Sequence, residues 1–116
     1  MAKYVSDQTV IDALRKAGFQ SNNDLITGLA VALAESGSYD YVNKEVRVNV
    51  EAQHKNTNGS IDYGAWQINT INSDVFTEGN WYDVYANARM AYRVWKRQTW
   101  NAWSVVKSGR YANFQN

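Results

Sequence analysis

The 116-residue sequence contains no cysteine and no proline, and its only histidine is His54. Without cysteine, the chain forms neither disulfides nor a thiolate nucleophile, and a zinc site built on cysteine is excluded. A single histidine also excludes most histidine clusters. No apolar stretch reaches membrane-spanning length, so we expect no insertion into a bilayer.

The N-terminal stretch "MAKYVSDQTV" lacks the apolar core of a signal peptide. We therefore expect synthesis as a soluble product in the cytoplasm. The length of the chain predicts one domain over residues 1–116, because a chain of this size can bury most of its apolar surface in a single core.

Charge is unevenly distributed along the chain. Residues 1–83 carry six basic and eleven acidic side chains, a net charge of −5, whereas residues 84–116 carry six basic and no acidic ones, a net charge of +6. This count predicts a cationic surface in the C-terminal third, which would attract nucleic acid, anionic lipid or anionic cell-wall polymers. A solvated basic helix is the alternative interpretation.

Helical periodicity covers much of the sequence. Ser6 or Asp7 is placed to cap a helix that ends at Gly18, and "SNND" at 21–24 starts a second helix that runs to Gly37. The second helix is apolar nearly all round, so we predict that it is the buried central element. A third helix follows "TEGNWYD", and a short last one spans "WNAWSVVKSG".

A small antiparallel sheet is predicted between the second and third helices. The segment "EVRVNVEAQ" alternates Val46, Val48 and Val50 with polar residues, which is typical of a half-buried strand. Asn58-Gly59 predicts a type I′ hairpin turn, after which a strand through "IDYGAWQI" would pair back on the first. The predicted class is therefore α+β and mostly α-helical, with a β-hairpin lobe.

Glu35 is an unusual residue because it closes an apolar helix that offers it no basic partner. Burial disfavours its anion, and the negative end of the helix dipole acts in the same direction. Both effects favour a carboxyl group that keeps its proton near neutral pH, which suits a general acid. The alternative is an exposed glutamate at a frayed helix end.

Asp62 supplies a second carboxylate, in the polar hairpin segment "NTNGSIDYGAWQIN". Glycoside hydrolysis by the common route needs one protonated and one ionised carboxyl group on either side of the bond. A calcium-binding loop is the rival interpretation. The spacing of an EF-hand, however, places His54 and Ala65 where the two terminal acidic ligands should stand, which argues against calcium.

Aromatic and carboxamide side chains follow Asp62 closely. Tyr63 and Trp66 offer flat apolar faces, and Gln67 and Asn69 offer hydrogen-bond donors and acceptors, the combination that a sugar ring requires. Alternation along a strand directs only some of these side chains to one face. Each of them is equally compatible with packing inside the hairpin or the core.

Three segments resemble known families. The segment "NTNGSIDYGAWQIN" resembles the hairpin of chicken-type lysozymes, and "ALAESG" is similar to the catalytic helix of the lysozyme-like superfamily. "WNAWSVVKSGRY" at 100–111 is similar to the tryptophan-containing late helix of lysozymes and to the ending of phage and bacterial transglycosylase-like domains. The resemblance covers roughly residues 23–111. The lack of cysteine and the longer connection between Glu35 and Asp62 are closer to a phage or bacterial muramidase than to the animal enzymes.

This resemblance implies a lysozyme-like fold with a substrate cleft and a muramidase that cleaves the β-1,4 bond between N-acetylmuramic acid and N-acetylglucosamine in peptidoglycan. Carried over from the lysozymes, Glu35 would protonate the glycosidic oxygen and Asp62 would stabilise or capture the oxocarbenium-like carbon. Tyr63, Gln67, Asn69 and Trp103 would contact substrate, with Trp103 packed against Glu35. No metal or other cofactor would be needed, and we expect a monomer.

Other functions stay open at the level of the sequence. A lytic transglycosylase would use Glu35 alone and release 1,6-anhydro products, and a non-catalytic module would bind saccharide without cleaving it. Nucleic-acid binding is disfavoured because the aromatics near Asp62 lie outside the basic stretch. A chain without a signal peptide would reach the wall as a phage endolysin or as a virion-associated enzyme.

Overall fold

The computed structural model describes residues 1–115, which form four α-helices, three 3₁₀ segments and two three-stranded antiparallel sheets. The helices are α1 (Asp7–Ala17), α2 (Asn22–Ser36), α3 (Val84–Gln98) and α4 (Ser104–Lys107). The strands are β1 (Tyr4–Val5), β2 (Gly37–Asp40), β3 (Glu45–Asn49), β4 (Gln53–Lys55), β5 (Ile61–Tyr63) and β6 (Ile68–Asn69). The 3₁₀ segments are Thr70–Glu78, Trp100–Ala102 and Arg110–Phe114. The predicted α+β class is confirmed.

Side-chain caps fix where the first two helices begin. Ser6 Oγ accepts a hydrogen bond from the Thr9 N–H at 3.2 Å, and Ser21 Oγ accepts one from the Asp24 N–H at 3.1 Å. Each bond satisfies an N–H that the first turn of a helix leaves without a partner. Gly18 ends α1 with a φ of 131°, a conformation that disfavours any residue with a Cβ atom. The predicted starts and the predicted end are confirmed.

Helix α2 is the buried central element that the sequence predicts. Its buried residues are Leu25, Gly28, Ala30, Val31, Ala32, Leu33 and Ser36. At Gly28 the helix approaches α1 so closely that an added Cβ would lie 2.8 Å from a methyl carbon of Leu14. Burying apolar residues on several faces leaves Glu35, in the last turn, with an environment poor in water.

The sheet prediction is wrong in its pairing. Strand β3, which carries Val46 and Val48, pairs with β1 and β2 in one sheet and not with the hairpin that contains Asp62. The alternation holds only in part, because Val48 is buried whereas Val46 is 46% exposed, opposite Tyr39. An alternating pattern predicts that a segment is a strand, but it does not specify which segment pairs with it.

The hairpin exists, but with other strands and another turn. Its first strand is β4. Between β4 and β5 only Gly59 has a positive φ, of 91°, whereas a type I′ turn needs two such residues. The Gly59 N–H donates to the Asn56 carbonyl at 3.0 Å, so the turn starts two residues before Asn58-Gly59. The predicted strand "IDYGAWQI" is broken by Gly64 and Gln67, both with positive φ, and β6 folds back on β5.

Helix α3 begins at its cap, Asp83, and its bounds agree with the predicted third helix. The predicted last helix is instead two short helical pieces separated by Trp103, whose backbone is extended. This break lets the indole of Trp103 point into the core, where its N–H donates to the Trp66 carbonyl at 2.8 Å.

The C-terminal third is less cationic than its sequence indicates. Three arginines of α3 pair with two acids of the 3₁₀ segment Thr70–Glu78; the shortest contact of each is Arg97 to Asp74 at 2.8 Å, Arg93 to Asp74 at 3.1 Å, and Arg89 to Glu78 at 3.5 Å. The two acids therefore offset two of the three arginine charges in this cluster. Within residues 1–115, no helix combines the length and apolarity needed to cross a membrane.

Candidate active site

A cleft of about 470 Å³ separates the helices from the sheet that contains Asp62. It is lined by Glu35, Asp62, Gln67, Ile68, Asn69, Ile71, Asn72, Val94, Gln98, Ala102, Trp103 and Ser104. The cleft brings together both predicted catalytic acids and three of the four predicted substrate-binding residues, although these lie up to 68 positions apart in the sequence.

The last turn of α2 presents Glu35 to this cleft. The neighbouring side chain, Ser36, is buried, and its Oγ donates to the carbonyls of Ala32 at 3.0 Å and Ala65 at 2.8 Å. The second contact ties the end of α2 to the turn that connects β5 and β6. Glu35 is consequently held at a fixed position relative to the strand that carries Asp62.

Burial raises the pKa of Glu35 from 4.5 to about 7. The positive charge of Arg110 opposes this shift, and the negative charge of Asp62 adds to it. Desolvation dominates because a partly buried carboxylate loses hydration that one exposed arginine does not replace. A carboxyl group with this pKa is available near neutral pH both as a proton donor and, once deprotonated, as a base.

Two carboxamides hold the Asp62 carboxylate. Asn69 Nδ2 donates to Asp62 Oδ1 at 2.7 Å, and Asn56 Nδ2 donates to Asp62 Oδ2 at 3.2 Å. The strand register explains the first contact, because Asp62 lies between His54 on β4 and Asn69 on β6, whereas Asn56 reaches Asp62 from the turn that follows β4. The side chain therefore has a polar environment and a fixed orientation, in contrast to Glu35.

Gln67 and Asn69 have structural roles as well as positions in the cleft. Gln67 Nε2 donates to the carbonyls of Ala52 at 3.1 Å and Gly64 at 2.9 Å. Asn69 Oδ1 caps the following 3₁₀ segment by accepting from the Ile71 N–H at 2.9 Å. A ligand in the cleft would therefore meet side chains whose orientation is already set by protein contacts.

The three aromatic residues predicted near the site, Trp103, Trp66 and Tyr63, have different positions in the structure. Trp103 is 5% exposed and lines the cleft together with Glu35, whereas Trp66 is fully buried and donates its indole N–H to the Gly28 carbonyl at 2.9 Å. Tyr63 does not line the cleft; its ring packs against Phe76 and Trp81. Because neighbouring residues of a strand point to opposite faces, Asp62 on the cleft side directs Tyr63 away from it.

A buried asparagine that the sequence analysis missed positions the Asp62 strand. Asn87 of α3 is 0% exposed; its Oδ1 accepts from the Trp66 N–H at 2.9 Å, and its Nδ2 donates to the Tyr63 carbonyl at 3.1 Å. Gly64 lies directly on it, since an added Cβ would be 2.5 Å from Asn87 Nδ2. A signal was present, because Asn87 falls on the apolar stripe of α3 between Val84 and Ala91.

A second hollow of about 610 Å³ adjoins the cleft and shares Asp62 and Asn69 with it. It lies over the hairpin and is lined on that side by polar residues that include His54 and Asn58. Among residues 1–115 there is no group of three or more acidic or histidine side chains arranged to hold a metal ion. Because the cleft and this hollow meet at Asp62, an elongated ligand has room to lie across Asp62 and extend to both sides of it.

The family model described as "Lysozyme like domain" matches residues 11–105 of the chain. The match includes both acids, the hairpin, α3 and Trp103, and the chain belongs to this lysozyme-like family. Membership indicates a peptidoglycan-acting glycosidase or transglycosylase. None of the curated proteins compared with the chain matches it.

The burial of Glu35 makes the stability of the protein depend on pH. Between pH 4.5 and about 7 the unfolded chain releases the Glu35 proton while the folded protein keeps it, so the free energy of unfolding falls as pH rises. Each pKa unit corresponds to about 1.4 kcal/mol, which limits the loss to at most about 3.5 kcal/mol. In urea unfolding at pH 5 and pH 8, Glu35→Gln should lose less stability than wild type over this interval. Equal losses would contradict the raised pKa.

Replacement of Asn87 should destabilise the turn between β5 and β6. Asn87→Ala leaves the buried Trp66 N–H and Tyr63 carbonyl without partners, and we expect a loss of about 2–4 kcal/mol in the free energy of unfolding. Urea unfolding measures this loss, and Asn113→Ala, at an exposed position, serves as the control. A change below about 0.5 kcal/mol for Asn87→Ala, the range of ordinary surface substitutions, would contradict the positioning role.

Proposed function

We propose that the protein is a muramidase that hydrolyses the β-1,4 bond between N-acetylmuramic acid and N-acetylglucosamine in peptidoglycan. The observation that carries this proposal is the pairing of two unlike carboxyl groups in one cleft. Glu35 is partly buried with a pKa of about 7, and Asp62 accepts hydrogen bonds from two amides. Two carboxyl groups in different environments are what the acid and the nucleophile of a glycosidase require.

In the proposed reaction, Glu35 donates its proton to the glycosidic oxygen as the bond from that oxygen to the anomeric carbon breaks. The Asp62 carboxylate stabilises the positive charge on that carbon or forms a bond with it. Glu35, now ionised, takes a proton from a water molecule, whose oxygen attacks the same carbon and releases Asp62. The reaction returns both groups to their starting states, and it needs no cofactor.

Substrate binding is proposed along the cleft and the adjoining hollow. Trp103 would supply an apolar wall beside Glu35. Gln67 Oε1, which accepts no hydrogen bond among residues 1–115, and the remaining acceptor position of Asn69 Oδ1 would meet the hydroxyl and acetamido groups of the sugars. The hollow over the hairpin would take the next units of the glycan. Tyr63 has no part in this site. The protein would act as a monomer, since both acids come from one chain.

Substitution of the two acids tests the proposal. Glu35→Gln should lower the rate of turbidity loss of a peptidoglycan suspension by roughly 10²–10⁴-fold, because the neutral amide cannot donate the proton. Asp62→Asn should also cause a large loss, since an amide neither stabilises nor captures the cationic carbon. Glu45→Gln, at an exposed position, is the control and should retain wild-type activity.

A lytic transglycosylase is the second candidate, and the pKa of Glu35 supports it. A group with a pKa of about 7 can donate a proton and then withdraw one from the substrate without help from Asp62. The product would be a 1,6-anhydro muramic acid, which is lighter than the hydrolysis product by one water. Mass spectrometry of digested wall fragments distinguishes the two, and anhydro products together with an active Asp62→Asn variant would replace the muramidase proposal. No turbidity loss by the wild type would leave a non-catalytic saccharide-binding module.

A further inference from the structure

A separate hollow lies on the side of the hairpin sheet that faces away from the cleft. It has a volume of about 260 Å³ and is lined by Met1, Glu51, Gln53, Trp81 and Tyr82. Gln53 lies opposite Tyr63 in the β4–β5 register, whereas His54 lies opposite Asp62. Side chains of adjacent strand residues point to opposite faces, so this hollow and the cleft lie on opposite sides of the same sheet.

Two aromatic rings form a preorganised corner in this hollow. The Trp81 ring packs on Tyr63, with centroids 4.7 Å apart and an interplanar angle of 32°. The ring of Tyr82 is nearly perpendicular to Trp81, at 87° and a centroid distance of 5.4 Å, and Tyr82 is 49% exposed. Because Tyr63 supports Trp81 from behind, little side-chain freedom is left for a ligand to remove on binding.

The polar side-chain groups around this corner make no hydrogen bond to the described part of the chain. Three of the five tryptophans, Trp66, Trp100 and Trp103, donate their indole N–H to a protein oxygen. Within residues 1–115 the indole N–H of Trp81 has no such acceptor, and the side chains of Glu51, Gln53 and Tyr82 make no hydrogen bond. The amides beside Asp62, by contrast, are occupied by protein contacts.

The half-buried Trp81 ring, the exposed Tyr82 ring and the nearby donors and acceptors indicate which kind of ligand fits this hollow. A flat apolar face packs on the rings, while hydroxyl and amide groups at its edge pair with the Gln53 amide, the Trp81 N–H and the Glu51 carboxylate. The volume is below the roughly 300–1,000 Å³ of pockets for drug-sized ligands, which fits a single ring.

We propose that this hollow is a second saccharide-binding site that takes one N-acetylated hexose unit of the wall glycan. The inference rests on the proposed function for the identity of the polymer. Because the site lies on the far side of the sheet from Asp62, it takes no part in bond cleavage. It retains the enzyme on an insoluble polymer, since a bound second unit raises the effective concentration of glycan near the cleft.

The test is an NMR titration of the ¹⁵N-labelled protein with N-acetylglucosamine, which monitors the indole N–H signals of Trp81 and Trp103. The Trp81 signal reports on the proposed saccharide site, and the Trp103 signal reports on the cleft. We expect the Trp81 signal to shift, and we expect Tyr82→Ala and Gln53→Ala to weaken the affinity reported by that signal about fivefold each. Tyr41→Ala, at an exposed position in the β2–β3 connection, is the matched control for Tyr82→Ala.

Three other results of the titration would contradict the second saccharide site. A shift of Trp103 without Trp81 would leave the cleft as a saccharide site and remove the second site. A shift of Trp81 with tetramethylammonium but not with the sugar would identify a cation site, which two rings and Glu51 would also form. A Trp81 shift that both variants leave unchanged would exclude the assigned contacts. Wall-clearing activity of the wild type, measured separately, judges the proposed function independently.

Discussion

The carboxyl group of Glu35 is held where its negative charge is poorly hydrated, and the site depends on this constraint. The constraint comes from α2, which has buried residues on several faces. Glu35 lies in its last turn, at the edge of the cleft. Three hydrogen bonds then fix the surroundings of the acid: Ser36 to the Ala65 carbonyl, the Trp66 indole to the Gly28 carbonyl, and the Trp103 indole to the Trp66 carbonyl. Together they connect α2, the turn between β5 and β6, and Trp103 at the start of α4.

The second acid has the opposite environment, and the hairpin provides it. Asn56 and Asn69 direct amide hydrogens at Asp62; the strand register places Asn69 opposite Asp62, and Asn56 reaches it from the turn that follows β4. Asn87 then fixes the turn that follows Asp62 from the side of α3. The same segment "NTNGSIDYGAWQIN" therefore supplies the carboxylate, the groups that orient it and the backbone that attaches it to the core. This division of roles explains why so many polar residues are concentrated in one short loop.

Local features of the fold were predictable from the sequence, and non-local ones were not. Caps and periodicity placed α1, α2 and α3, because Ser6, Ser21 and Gly18 act within one helical turn. The predicted partner of β3 was wrong, because strand pairing joins segments that are distant in the sequence, and their patterns of alternating apolar and polar residues look alike. The arginines of α3 appeared free in the sequence because their partners Asp74 and Glu78 lie 11 to 23 positions away. For the candidate site, apolar context and resemblance selected Glu35 and Asp62, which the structure places in one cleft. The position of Tyr63 could not be predicted, because it depends on which face of β5 meets the cleft.

Titration of the Glu35 carboxyl carbon, followed by ¹³C NMR, measures whether burial keeps this group protonated near neutral pH. We expect a midpoint at about pH 7, set mainly by burial, and a lower midpoint in Asp62→Asn, because that variant lacks the negative charge that helps to raise the pKa of Glu35. A midpoint near 4.5 in the folded wild-type protein would show that Glu35 is hydrated like an ordinary surface carboxylate. It would then be ionised at neutral pH and unable to supply the proton on which the proposed chemistry depends.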